Sequence, residues 1–207
     1  MPQFKAGKDL RYLLRRSIKS KLNFDKTYLI TSYHSKDRLS ETLPHLKENG
    51  IDPEIFVAPF KYHFPQFHYY NDNTENCVWP GKISLACAYE QLFQKCIIDN
   101  TQTALFIEDD VVLLPGWKEK INTEWNIKDW YILKTGSETH FFAMSLQAMK
   151  DYLNKFAMSY NSIDFQINLL KPTIVSDNIA TQKSWSDEDY KVPSTIDTES
   201  DAFTLEF

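Results

Sequence analysis

Thr103-Ala104-Leu105-Phe106-Ile107-Glu108-Asp109-Asp110 changes character in a single step. Residues 103–107 form a continuous apolar run of strand length, the pattern of a central strand buried on both faces. The run then stops in three adjacent carboxylates. Side chains alternate along a strand, so Glu108 and Asp110 should point one way and Asp109 the other. Three neighbouring carboxylates repel one another, and each costs desolvation if it is buried unpaired. A divalent cation relieves both costs, because Mn²⁺ and Mg²⁺ prefer oxygen ligands. The bland alternative is an acidic turn that caps the next segment.

Outward from this point the chain reads as alternating strands and helices. Residues 27–32 (TYLITS) form a β-rich run. A helix is expected over 37–49, with Leu39, Leu43 and Leu46 on one face and Gly50 as its stop. Residues 54–58 give a second strand and 83–98 a long helix, which leads into the 103–107 strand. This β-α-β order implies a parallel sheet with helices on it. Beyond the acidic block come a short strand at 111–114, a helix from Trp117 to about Trp125, and strands at 129–134 and 140–145. Helices at 146–156 and 163–170 and a last strand at 173–175 complete the pattern. No repeat or linker divides the body, so the fold class is α/β: a single domain with a mixed, mainly parallel sheet flanked by helices.

Two segments stand apart. Residues 58–80 hold seven aromatic side chains with His63 and His68 between them, and prolines and asparagines that discourage regular structure. Such a loop suits stacking on sugar rings or nucleobases, or fills a satellite core. Residues 1–26 carry eight Lys or Arg against two Asp, whereas the remainder is strongly acidic and brings the whole chain to −5. The basic arm is therefore a feature separate from the body. Leu10, Leu13, Leu14 and Ile18 recur within it at helical spacing beside Arg11, Arg15, Arg16 and Lys19. It is expected either to lie on an anionic membrane, to follow a nucleic-acid backbone, or to pack on the body. The expected division is thus an arm at 1–26, a body at 27–185 and an acidic tail at 186–207.

No run approaches a membrane span, and nothing at the start reads as a signal-peptide core. The three cysteines, Cys77, Cys87 and Cys96, lack metal-ligand spacing, and reduced thiols in a cytoplasmic protein are the simplest reading. A location in the cytoplasm, with the arm as a contact to the inner face of a membrane, is the expectation.

Gly81-Lys82-Ile83-Ser84 followed by Glu108-Asp109-Asp110-Val111 resembles the glycosyltransferase family that includes the lipopolysaccharide-biosynthesis and collagen galactosyltransferases. Tyr28-Leu29-Ile30 with the later Asp37-Arg38 looks like the family's opening strand. Thr135-Gly136 with Phe142-Ala143-Met144-Ser145 and Ala148 looks like a later strand and helix, and Ile163-Asp164 like its Ile-Asp element. The similarity spans about 27–185. It departs at Lys82 (glutamate in the family), at Ala88-Tyr89 (Ser-His) and at Thr31 (asparagine), which leaves donor sugar and acceptor open.

The resemblance implies a GT-A (Rossmann-like) fold and an inverting hexosyl transfer from a nucleotide-diphosphate sugar, a UDP-sugar favoured, assisted by Mn²⁺ or Mg²⁺. The acceptor it implies is a hydroxyl of a glycan or lipid-linked glycan, as in lipopolysaccharide biosynthesis. The basic arm keeps modified bases of nucleic acid as an alternative acceptor, and the departures keep a silent nucleotide-sugar-binding domain as another. Expected metal ligands are Asp110, Glu108 and His140. Glu108, Asp109, Thr31, Ser32 and Arg38 are expected at the donor nucleotide. Asp164, with Glu138 as a rival, is the expected catalytic base, and the alternative for Asp164 is a helix N-cap. Oligomeric state is not legible.

Overall fold

The computed structural model describes residues 24–32, 35–58, 80–136, 139–157, 162–177 and 179–183. The aromatic segment at 59–79, Glu138, most of the basic arm and the acidic tail lie outside the described residues.

The main sheet is built from β1 (Lys26–Ser32), β2 (Glu54–Ala58), β3 (Thr103–Glu108), β5 (Ile132–Thr135), β6 (Phe141–Ser145) and β7 (Ile174–Ser176), in the order β2-β1-β3-β6-β5-β7. β4 (Val111–Leu113) pairs separately with β8 (Ala180–Gln182), antiparallel. The pairings β1–β2, β1–β3 and β5–β7 are parallel, whereas β6 runs against both β3 and β5. The sheet is thus mixed and mainly parallel, with β6 as the reversed strand among the described residues.

Two apolar layers cover it. On one face Tyr28, Ile30, Ala104, Phe106, Phe142 and Met144 meet α2 (Pro80–Ile98), α4 (Leu146–Phe156) and α5 (Ile163–Leu169). On the other, Leu29, Leu105, Ile107, Phe141 and Ala143 meet α1 (Lys36–Glu48) and α3 (Trp117–Glu124), with Trp125 just beyond it. The alternation along β1 and β3 is the period-two pattern of a strand covered on both sides.

The connections position the site. From β1 the chain crosses through α1 to β2 on one side, then returns through α2 to β3 on the other. The two helices lie on opposite faces, so the backbone parts at the C-terminal ends of β1 and β3. Such a switch point opens the crevice in which α/β sheets bind ligands.

Several boundaries differ from the sequence reading. The strand expected at 129–134 begins only at Ile132, because Asp129 takes a left-handed φ of 57° that no strand tolerates. The strand at 140–145 starts at Phe141, and the one at 173–175 is displaced to Ile174–Ser176. α2 starts at Pro80, ahead of Ile83. β8 was not expected at all: Ala-Thr-Gln is too short and too polar to announce a strand, and pairing with β4 makes it one. Phe24 to Lys26, at the end of the basic arm, join the body. The Phe24 ring meets Trp130 edge-on at 6.1 Å, and Asp25 accepts from the amides of Gln102 and Thr103 at 2.9 and 3.0 Å.

Candidate functional site

β3 delivers its last residue, Glu108, to the crevice, and the turn at Asp109 and Asp110 follows. All three carboxylates are buried, with exposures between 3% and 6%. They are not a solvated acidic turn.

The strand end and the turn after it send them to different sets of neighbours. Glu108 continues the Phe106 face towards α2, where the Tyr89 phenol donates to its Oε1 at 2.8 Å. The Thr139 hydroxyl reaches the same oxygen at 3.3 Å. Asp109 turns towards α1. Its Oδ2 accepts from the Thr31 hydroxyl at 2.6 Å, its Oδ1 lies 3.6 Å from Arg38, and its backbone carbonyl accepts from the Thr42 hydroxyl at 2.5 Å. Asp110 Oδ2 accepts from Gln182 of β8 at 2.7 Å and lies 3.6 Å from Arg38. The Lys183 amide donates to the Asp110 carbonyl at 2.8 Å.

His140 arrives through the reversed strand. Because β6 pairs with β3 antiparallel, Phe141 stands opposite Ile107, and the Glu108 amide donates to the His140 carbonyl at 2.9 Å. The imidazole Nδ1 is then 3.2 Å from Glu108 Oε2 and 3.9 Å from Asp110 Oδ1. One ligand atom each from Glu108, Asp110 and His140 falls within a span of 4.8 Å.

Two features of this cluster suit a divalent cation. Asp110 Oδ1 is buried and has no hydrogen-bond partner, although its carboxylate partner oxygen is well served. Three carboxylates buried side by side also concentrate negative charge, which a divalent cation would relieve. Arg38 lies 3.6 Å from Asp109 and from Asp110, and His140 approaches Glu108 and Asp110. Buried charge is costly without a counter-ion. Burial accordingly pushes the Asp110 carboxyl up to about 6, with Glu108 and Asp109 adding to the rise. Asp109 is raised mainly by burial, against the lowering pull of Thr31 and Arg38.

A cleft opens beside the cluster, lined by Thr31, Ser32, Arg38, Ser84, Glu108 and Asp110 among others. Thr31, Ser32 and Arg38 line this cleft together, although Thr31 and Arg38 spend polar atoms on Asp109. The Ser32 hydroxyl is 2.7 Å from that of Ser35. Asp164 is not the cap of its helix: Ser162 stands at the N-cap, and Asp164 sits in the first turn, accepting from the Ser162 hydroxyl at 3.1 Å. Its Oδ1 is buried without a hydrogen-bond partner. It lies near enough to Tyr89 to help Glu108 and Asp110 hold the phenol protonated, though burial does most.

Tyr89, Thr139 and Gln182 were not foreseen as site residues. Tyr89 carried a faint signal, since it falls where the sequence departs from the family it resembles. Gln182 carried none, because β8 itself was invisible.

No family model and no curated protein matches the chain. Among solved structures it is similar to a glycosyltransferase involved in the glycosylation of the major capsid of PBCV-1, at 12% identity and a TM-score of 0.44, covering 73% of this chain and 81% of that one. It is also similar to the protein A197 from STIV, at 13% identity and a TM-score of 0.41 over the same shares of each chain. A third is the mannose-1-phosphate geranyltransferase from Thermus thermophilus, at 10% and 0.38, covering 72% and 68%. One of these neighbours is described as a glycosyltransferase, but likenesses of this size carry no weight for activity, which has to rest on the site. Membership of the lipopolysaccharide and collagen galactosyltransferase family is not established by them.

Proposed function

We propose that the chain is a GT-A-type glycosyltransferase that binds a divalent cation at Glu108, Asp110 and His140 and moves a hexosyl group from a nucleotide-diphosphate sugar to a hydroxyl acceptor, with inversion. One observation carries this reading: ligand atoms of Glu108, Asp110 and His140 converge within 4.8 Å, one of them an orphaned buried carboxylate oxygen, at the crevice between β1 and β3. A divalent cation, when bound, supplies positive charge against the diphosphate as it leaves.

The chain's own residues divide the remaining work. Ser32 and the end of β1 line the cleft and are the proposed contacts to the donor. Thr31 and Arg38 hold Asp109 and so fix the turn that presents Asp110. Asp164, with its unpartnered oxygen on the α5 side, is the proposed base for the acceptor hydroxyl, and Glu138 remains its rival. A glycan or lipid-linked glycan is the proposed acceptor, with the basic arm at 1–26 as its membrane contact. No helix among the described residues is long and apolar enough to cross a membrane.

The direct test is a panel of UDP-, GDP- and CMP-sugars screened by thermal shift with Mn²⁺ and with EDTA, followed by assay of any hit for hydrolysis or transfer. Stabilisation by one nucleotide class only when Mn²⁺ is present is expected, with turnover of that donor. Stabilisation without any turnover would leave a silent binding domain, and no cation dependence would end the proposal.

The imidazole in the ligand set adds a second expectation. Nitrogen ligands favour the transition metal over Mg²⁺. Mn²⁺ should therefore bind more tightly than Mg²⁺, and His140→Ala should weaken Mn²⁺ by roughly tenfold or more while changing Mg²⁺ little. Titration calorimetry of both ions reads this, and an equal loss for each ion would remove His140 from the ligand set.

A further inference from the structure

Glu108 offers two oxygens, but the structure leaves only one of them to the cluster. Oε1 is held by two donors, the Tyr89 phenol at 2.8 Å and the Thr139 hydroxyl at 3.3 Å. Oε2 is the oxygen that faces His140, at 3.2 Å. The phenol is not a loose donor. Tyr89 is fully buried, and its ring is wedged among Phe93, Phe106 and Phe142, with centroids 5.9, 6.2 and 5.4 Å away. Packing on three sides leaves the ring little freedom to move its hydroxyl off Oε1.

The backbone is pinned as well. The Glu108 amide donates to the His140 carbonyl, which fixes the strand end from which the carboxylate projects. Glu108 therefore stands in one orientation before any ion arrives, with Oε1 turned to α2 and Oε2 turned to the cluster. Asp110 is arranged alike: Gln182 and Arg38 occupy Oδ2, and Oδ1 is left over.

From this geometry we infer that Tyr89 is a positioning residue that sets cation selectivity, by restricting Glu108 to one-oxygen ligation. The inference rests on the cation-binding reading above. Its chemistry is the difference between small and large ions. Mn²⁺ and Mg²⁺ are satisfied by single oxygens in near-octahedral array, whereas Ca²⁺ takes six to eight oxygens and readily accepts a carboxylate through both. A glutamate whose second oxygen is occupied by a rigid phenol suits the first class and penalises the second. Outer partners of this kind typically carry 10–100-fold in metal affinity.

The experiment is titration of Mn²⁺ and of Ca²⁺ into the full chain and into Tyr89→Phe, which keeps the ring and removes only the hydroxyl. Melting temperature in EDTA is measured alongside. Mn²⁺ affinity is expected to fall about tenfold, while Ca²⁺ affinity holds or rises, so the Mn²⁺/Ca²⁺ ratio drops by at least that factor. Thr139→Val, which removes the second donor to the same oxygen, should move the ratio in the same direction by less, and it serves if the phenylalanine variant fails to fold. A purely structural tyrosine would lower the metal-free melting temperature and leave the ratio unchanged. An unchanged ratio in a folded variant, or parallel weakening of both ions, overturns the inference alone. Failure of the wild-type chain to bind Mn²⁺ overturns the cation-binding reading and this inference with it.

Discussion

Asp110→Asn will abolish Mn²⁺ binding and donor turnover while making the metal-free protein more stable at pH 7. The opposite signs come from one feature. Asp110 is buried, it is crowded by Glu108 and Asp109, and its Oδ1 has no partner. With a cation present that oxygen is the ligand the site lacks elsewhere, so losing its charge should weaken Mn²⁺ by more than about 100-fold. Turnover should fall roughly 10³-fold, the equivalent of several kcal/mol of charge stabilisation. Without a cation the same charge is a burden.

The pH dependence follows from the direction of the shift. The folded state holds the Asp110 proton up to about pH 6, whereas an ordinary aspartate releases it near 3.8. The contribution of this group is therefore greatest below pH 4 and declines as pH rises through 6, by about 3 kcal/mol at most. Asparagine imitates the protonated form and can still accept from Gln182. Melting in EDTA should show the variant ahead by several degrees at pH 7 and level with the wild type near pH 4. Mn²⁺ should raise the wild-type melting temperature at pH 7 and not that of the variant. A variant that binds Mn²⁺ normally, or that melts lower than wild type in EDTA, contradicts this account of the cluster.

Arg38→Ala should be the most destabilising single change at the site. The guanidinium is buried and lies 3.6 Å from both Asp109 and Asp110. Its removal takes away the guanidinium that Asp109 and Asp110 share, besides the space of the side chain itself. Breaking a buried pair in this way typically costs about 3–5 kcal/mol. Urea denaturation in EDTA at pH 7 should show that loss, with a smaller one at pH 5, where Asp110 takes up a proton. Mn²⁺ should narrow the gap, since it restores positive charge to the same cluster. Adding Asp109→Asn to Arg38→Ala should recover part of the loss, because one repelling charge is gone and Thr31 keeps an acceptor. A cost below about 1 kcal/mol would mean that the pair behaves as a solvent-screened one.

The sequence by itself determined the alternation of elements and the position of the acidic block. Continuous apolar runs at β1 and β3, helical spacing in α1 and a glycine stop are local signals, and each needs only its own neighbours to be read. Strand parity also foretold that Glu108 and Asp109 would part company. Folding supplied the rest, because the remaining decisions depend on residues far apart in the chain. Nothing near His140 shows that its strand would run backwards beside β3, yet that reversal puts the imidazole against Glu108. Nothing in Ala-Thr-Gln shows a strand, yet pairing with β4 brings Gln182 to Asp110. Arg38 read locally as a helix residue that could equally be solvated. Only folding buries it against two carboxylates, across the gap between α1 and the end of β3, and so makes it part of the acidic cluster.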